Sequence, residues 1–345
     1  MANTPLRYEL AKQAVDAVSA AVRGGFVFNA NPSAIAEAAR VLNLNEKTLH
    51  SRLRTARQTY GLEPEAVPPL PEVEFTPPAK PRVIVRAASE AAPEGEPIRI
   101  CAIGDLHDAP EIPKDRLRWI GHHVRETRPD KVVQIGDIAS FDSLSKHDAP
   151  GSISQKQRAS FRAEMDSLEE ALSIYRKALG DSPIQHYITL GNHEHRVLLW
   201  ESATAELEGV LWTQLMDLFA RYDWRVTDYK KYLFIAGTAW THVPHNLMDK
   251  PYRGKTLNPI ANDLVFSLVF GDSHRGQFLR VPKIGPQRSI EILNLGSAMP
   301  HGYFPRYNVA EQGGYSWGIY DVTVQGGHIT EHRFIPMSSL EKMYG

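Results

Sequence analysis

Four apolar runs in this chain stop in the same way, and that repetition constrains the fold more than any other feature. "ICAIGDLHD" (Ile100–Asp108), "KVVQIGD" (Lys131–Asp137), "HYITLGNHEHR" (His186–Arg196) and "VFGDSHRG" (Val269–Gly276) each end in a glycine followed at once by metal-type ligands. Glycine after a strand lets the chain turn sharply, so the next side chain projects over the sheet edge. Ligands offered from the carboxyl ends of several strands converge in one crevice, where α/β sheets usually bind ligands. With His242 of "WTHVP", the collected groups are Asp105, His107, Asp137, Asn192, His193, Asp272 and His274. Carboxylate and amide oxygens mixed with imidazoles suit Mn²⁺, Fe or Zn²⁺. There are too many ligands for one structural zinc, and no thiolate is among them. The number fits two metals sharing a bridging carboxylate.

The rest of the chain supplies an α/β frame for these turns. From residue 98 onward the pattern is strand 98–104, helix 114–127, strand 131–136, helix 155–179, strand 184–190 and helix 204–221. Strands near 232–243 and 265–270 follow, and "RSIEILNLGS", "YSWGIYDVTV" and "HITEHRFIP" read as late strands of a sheet. Alternating strands and helices followed by mainly strands predict a layered α/β sandwich. Hydrophobic residues make up 42% of the 345, enough to bury a sizeable core. The formal net charge of −1 leaves the whole chain without a nucleic-acid or membrane bias, so local charge decides. The single cysteine, Cys101, excludes an internal disulfide and a Cys-rich zinc site. No signal peptide is visible and no apolar stretch is long enough to span a bilayer, so a cytoplasmic, membrane-free protein is expected.

The first 97 residues differ in composition. Residues 63–97 hold nine prolines and seven glutamates, a semi-rigid linker composition, within which "RVIVR" is a candidate edge strand. Residues 1–62 carry eight Lys/Arg against four Asp/Glu and show helical periodicity. Ile35, Ala38, Ala39 and Leu42 follow i, i+3, i+4, i+7 spacing after a start signal at Asn31-Pro32. A second helix, N-capped by Asn45, buries Leu49, Leu53, Ala56 and Tyr60 and exposes Lys47, His50, Ser51, Arg52, Arg54 and Arg57. Two short helices joined by a tight turn, the second one basic, are the signature of a helix-turn-helix. "IAEAARVLNLNEKTLHSRLR" resembles the helix-turn-helix of bacterial and phage regulators, which makes DNA the expected partner and Lys47, Arg52, Arg54 and Arg57 the candidate DNA-binding residues. The competing reading is a small helical bundle for protein contacts.

The order Asp-x-His, Gly-Asp, Gly-Asn-His-Glu, His, Gly-x-x-His over residues 98–345 resembles the calcineurin-like metallophosphoesterase superfamily. That resemblance implies a layered αββα sandwich. It also implies that Asp105, His107 and His274 hold one metal, that Asp137 bridges, and that Asn192 and His242 hold the second. Position 272, usually histidine in the family, completes the second site and is aspartate here. His193 is not a ligand in the family; it acts at the leaving-group oxygen as general acid or charge stabiliser. Two cations about 3.5–4 Å apart polarise phosphoryl oxygens and lower the pKa of water, and an imidazole titrating near neutrality suits proton delivery. The catalytic set is thus His193, Asp105 and Asp137. Relatives often place Asp or His three residues after the bridging aspartate to support the catalytic imidazole; here Ser140 stands there, with Asp142 two further on. Arg196 is a candidate ligand for a substrate phosphate, against an ordinary surface ion pair. The expected cofactors are two divalent ions, Mn²⁺ first, with Fe, Zn²⁺ or Ni²⁺ as alternatives.

His50, His122, His123, His147 and His301 lack the strand-glycine context and read as ordinary imidazoles, while His195 and His245 lie beside the motifs and stay open. The domain combination, "GNHEHR" and the "IPMSSL" tail resemble phage or prophage members of the superfamily. The expected activity is phosphodiester hydrolysis of DNA, as a nuclease tethered to its duplex. The alternatives are a phosphatase or cyclic-nucleotide phosphodiesterase of the same fold, or a non-enzymatic DNA-binding protein with a degenerate phosphoesterase domain.

Overall fold

Ala14, Val18, Ala21 and Val22 recur at helical spacing and become the buried face of helix α1 (Thr4–Arg23). This computed structural model describes residues 4–23, 33–64, 76, 86–87, 95–146, 151–252, 256–285, 289–305 and 314–345. The chain divides into two compact units, residues 1–70 and 71–345. In the first unit, α1 packs on α2 (Ala34–Val41) and α3 (Glu46–Thr55) around Ala34, Ile35, Ala38 and Leu49. The N-cap of α2 is Ser33, whose Oγ accepts from Ala36 N at 3.0 Å; the expected signal at Asn31-Pro32 lies outside the described residues. Asn45 caps α3, its Oδ1 accepting from Thr48 N at 2.8 Å. Lys47, Arg54 and Arg57 are exposed and Arg52 half-buried.

The second unit is built on β1 (Ile98–Ile103), where Ile100 and Ala102 face one core and Cys101 and Ile103 another. Burial on both faces explains why the first strands read as continuous apolar runs. After β1 come α4 (Asp115–Thr127), β2 (Lys131–Gln134), α5 (Ile153–Lys156), α6 (Phe161–Leu179), β3 (Gln185–Thr189), α7 (Asn192–Ser202), α8 (Leu211–Arg221) and β4 (Trp224–Thr227). Then follow β5 (Leu233–Ile235), β6 (Thr238–Trp240), α9 (Asn258–Asp263), β7 (Leu268–Phe270), β8 (Gly276–Pro282), β9 (Ser289–Leu295), β10 (Gly318–Gln325), β11 (His328–Pro336) and α10 (Met337–Tyr344). One sheet runs β11-β10-β1-β2-β3-β4 and the other β5-β6-β7-β9-β8. Ile100, Val133, Tyr187, Ile235, Trp240, Leu293 and Val322 fill the space between them. α4, α6 and α8 cover the outer face of the first sheet, and α9 packs on the second, giving an αββα sandwich.

Several elements differ from expectation for local reasons. The helix expected over 155–179 is two, because Ser160 starts α6 by accepting from Ala163 N at 3.2 Å. The helix expected from 204 begins at Leu211, where the Glu201 carboxylate accepts from Gly209 N (2.8 Å) and Trp212 N (2.6 Å). The run 232–243 folds back as a hairpin at Ala236 and Gly237, both at positive φ (48° and 80°). β4 is a four-residue strand too short to carry a pattern. Of the candidate edge strand 82–86 only Arg86 is described; it bridges to Val226 of β4, and the linker segments 65–75, 77–85 and 88–94 lie outside the described residues.

Candidate metal centre

The ligands sit at the carboxyl ends of five strands. Asp105 and His107 follow β1, Asp137 follows β2, Asn192 and His193 open α7 after β3, His242 follows β6, and Asp272 and His274 follow β7. Four of them, His107, Asp137, Asp272 and His274, hold left-handed backbone with φ of 45°, 49°, 69° and 56°. That conformation is uncommon outside glycine and clusters at functional sites. Here it lets side chains leave the sheet edge toward one point. The glycines serve two purposes. Gly136 turns the chain at φ 101°. Gly191 provides room instead: a Cβ there would strike the Asp137 carboxylate and lie 2.5 Å from the Asp137 amide nitrogen.

Two donor sets share Asp137. In the first, the Nε2 atoms of His107 and His274 face each other at 3.1 Å, and His274 Nε2 lies 3.1 Å from Asp105 Oδ2. That carboxylate oxygen is buried and accepts no hydrogen bond among the described residues. In the second, His242 Nδ1–H donates to Ile135 O at 2.9 Å, so Nε2 points inward. Around this Nε2 stand Asn192 Oδ1 at 3.2 Å, Asp137 Oδ2 at 3.3 Å and Asp272 Oδ1 at 3.8 Å. Asp137 Oδ2 is also 3.8 Å from His107 Nε2, so it lies between the sets. The groups Asp105–His107–His274 and Asp105–Asp137–His242 each have ligand atoms within 4.8 Å of one another. Buried lone pairs facing lone pairs need a cation between them. The mixture of hard oxygens and imidazole nitrogens fits divalent metal ions.

The electrostatics agree. Burial opposes charge on His242, yet Asp137, Asp105 and Asp272 hold its pKa well above the usual imidazole range. Asp137 is buried, but His193, His242 and His107 keep it ionised, well below the usual carboxylate range. Burial and the neighbouring His193 push His107 well down, toward the neutral form that a ligand needs. Asp272, at 19% side-chain exposure, brings Oδ1 to 3.8 Å from His242 Nε2.

His193 stands beside the shared carboxylate, its Nε2 3.7 Å from Asp137 Oδ2. The Ser140 hydroxyl, which donates elsewhere, leaves the backbone to orient it. The Ser140 backbone carbonyl does so, accepting from His193 Nδ1–H at 2.5 Å, while Ser140 Oγ donates to His107 O at 3.2 Å. Arg196 donates from Nη1 to Ser140 O (3.2 Å) and Phe141 O (3.1 Å), lies 3.8 Å from Asp142, and brings Nη2 to 3.4 Å from His193 Nε2. Burial and then Arg196 lower the His193 pKa, and Asp137 and Ser140 O oppose them.

Sequence reasoning gave Glu194 no role. It is fully buried, and its carboxylate accepts from four amides: Asp137 N (2.9 Å), Ile138 N (3.0 Å), Ala139 N (3.3 Å) and Gly191 N (2.8 Å). It clamps the Asp137 turn to the start of α7. Burial and the Asp137 charge push its pKa up to about 7, against the amides, which favour the carboxylate. Its place in Gly-Asn-His-Glu was the available signal. Lys47, Arg52, Arg54 and Arg57 belong to the other unit.

No curated protein matches the sequence. Among solved structures, the chain is similar to a conserved uncharacterized protein of Streptococcus pneumoniae TIGR4 described as a predicted phosphoesterase, at 14% identity and a TM-score of 0.31, covering 70% of this chain and 91% of that one. A second is 11% identical with a TM-score of 0.38, covering 70% of this chain and all of that one. The profile of the calcineurin-like phosphoesterases matches residues 98–277, more than half of the chain and the stretch that carries every ligand named above. The chain belongs to the calcineurin-like phosphoesterase family.

Proposed function

We propose that this chain hydrolyses phosphodiester bonds in DNA with two divalent metal ions. The observation that carries the two-metal reading is the pair of donor sets meeting at Asp137 Oδ2. Asp105, His107 and His274 would hold one ion and Asn192, His242 and Asp272 the other, with Asp137 shared; the three carboxylates favour a hard cation such as Mn²⁺. When bound, the ions supply charge neutralisation at phosphorus and a water of lowered pKa. His193, held by Ser140 O through Nδ1–H, presents Nε2 to the leaving oxygen; in its imidazolium form, which Asp137 and Ser140 O favour, it gives up the Nε2 proton and is left neutral. Arg196 has Nη1 anchored on backbone carbonyls and offers Nη2 beside that nitrogen to a phosphate oxygen.

The DNA assignment is supported by the first unit. Its α2–turn–α3 arrangement exposes Lys47 and Arg54 on the capped second helix, and Arg57 in the helical turn that follows it, as a helix-turn-helix does with its recognition helix. A tethered duplex-binding unit raises the effective concentration of the cleavage site. The test is incubation with labelled single- and double-stranded DNA, RNA, cyclic nucleotides and a phosphopeptide, across Mn²⁺, Mg²⁺, Zn²⁺ and Ni²⁺. Mn²⁺-dependent DNA cleavage, abolished in Asp137→Asn, is expected. Intact DNA with turnover of the phosphopeptide or a cyclic nucleotide refutes the substrate, and turnover of none refutes the enzyme.

A further inference from the structure

His195 and His245 are absorbed by neither metal set, yet each lies three residues from a second-site donor. On α7, Asn192 and His195 are i and i+3, on one helix face about 4.5 Å apart along the axis. His245 follows His242 by three residues, so its Cα is at most about 11 Å away. Between the two imidazoles stands Tyr229, at the carboxyl end of β4. The rings of His195 and Tyr229 are 4.9 Å apart and inclined by 33°; Tyr229 meets His245 edge-on at 5.8 Å and 86°. α7 and the segments that follow β4 and β6 thus each contribute one planar ring to the same rim, and all three rings are half-buried.

The segment after His245 adds a second feature. Asn246 Oδ1 accepts from Met248 N and Lys250 N, both at 3.0 Å, and Asn246 N donates to Lys250 O at 2.9 Å. The resulting tight turn, with Asp249 at φ 58°, holds Leu247 and Met248 in full view of solvent at 108% and 71% exposure. A stapled turn gains nothing by itself from showing two large apolar side chains to water. Large exposed apolar side chains serve other proteins as wedges inserted between base steps. Lys230, paired with Asp249 at 2.6 Å, lies 5.9 Å from the centre of the Tyr229 ring.

We propose that the His195–Tyr229–His245 rim, with Leu247 and Met248 beside it, takes the unpaired nucleobase adjacent to the scissile phosphate. Planar rings stack on any base, so the rim selects nucleic acid with accessible bases rather than a sequence. Paired DNA keeps its bases in the stack, and single-stranded or frayed ends present them. The proposal deepens the phosphodiesterase reading and rests on it for the identity of the reacting bond.

The test uses the full chain and a trinucleotide carrying 5-iododeoxyuridine, irradiated without added metal so that nothing is cleaved. Cross-linked peptides are mapped by mass spectrometry. Cross-links at Tyr229, His195 or Met248 are expected, lost from the rim in Tyr229→Ala and kept in Tyr229→Phe. With Mn²⁺, the ratio of KM for an abasic analogue to KM for the base-bearing trinucleotide should be about tenfold or more, and should collapse toward one in Tyr229→Ala. Cross-links that map elsewhere, or none, overturn the rim assignment even if DNA is cleaved. Rim cross-links in a protein that turns over no diester overturn the phosphodiesterase reading and leave the rim standing.

Discussion

Replacing Glu194 by glutamine tests whether that carboxylate holds the centre together. The change is isosteric, and the site is fully buried, so water cannot rescue it. Oε2 accepts from Asp137 N and Gly191 N, and Oε1 from Ile138 N and Ala139 N. Whichever oxygen becomes NH₂, two amides lose their acceptor and face another donor. An unsatisfied buried donor costs about 1–3 kcal/mol, so the loss should be roughly 2–6 kcal/mol before any relaxation. Urea unfolding of the metal-free protein measures it. All six tryptophans lie within residues 98–345, so their fluorescence reports the second unit alone. The same variant should bind Mn²⁺ more weakly, because the amides released are those that set the Asp137 backbone. A destabilisation below about 1 kcal/mol would show that the turn holds without the carboxylate, and the clamp argument would fail.

Three further outcomes follow from particular groups. His193→Ala should slow hydrolysis of a diester with a poor leaving group about 10²–10⁴-fold at unchanged metal content, with a smaller loss on a p-nitrophenyl ester; equal losses on both would remove the general-acid role. The full chain should bind duplex DNA with an affinity that falls steeply as salt rises, and joint replacement of Arg52, Arg54 and Arg57 by alanine should weaken binding and flatten the salt slope; unchanged binding would assign the helical unit to protein contacts. His186 is buried against Tyr175, with its Nε2 2.8 Å from the phenol oxygen, and burial followed by Arg176 lowers its pKa to about 3. Its folded value lies below the ordinary imidazole value, so its contribution is complete above about pH 6.5 and is lost as pH falls, at about 1.4 kcal/mol per unit. Urea midpoints between pH 5 and 7 should show that extra slope in the wild type and not in His186→Phe; identical slopes would mean that His186 charges in place.

The ligand set could be read from residue order because its signal is local: an apolar run, a glycine and a donor, repeated at strand ends. Asp105, His107, Asp137, Asn192 and His274 stand just after such turns, His242 lacks the glycine, and their roles as ligands came from the order of the motifs along the chain, although the strands belong to two sheets. A layered α/β sandwich was legible from the alternation of strands and helices, and burial on both faces leaves continuous apolar runs in the parallel strands; the αββα order came from the resemblance. α7 was not foreseen, because "NHEHR" carries ligand chemistry where a helix carries apolar periodicity; Glu194 stabilises its first turn from the side chain inward. What orients His193 was closed to sequence reasoning altogether. The acceptor is the carbonyl of Ser140, 53 positions away, and a carbonyl is the same atom in every residue. Glu194 likewise satisfies amides up to 57 positions distant. Such partners are chosen by where the backbone passes in three dimensions, and side-chain identity along the chain records a ligand's chemistry but not the approach of a distant main chain.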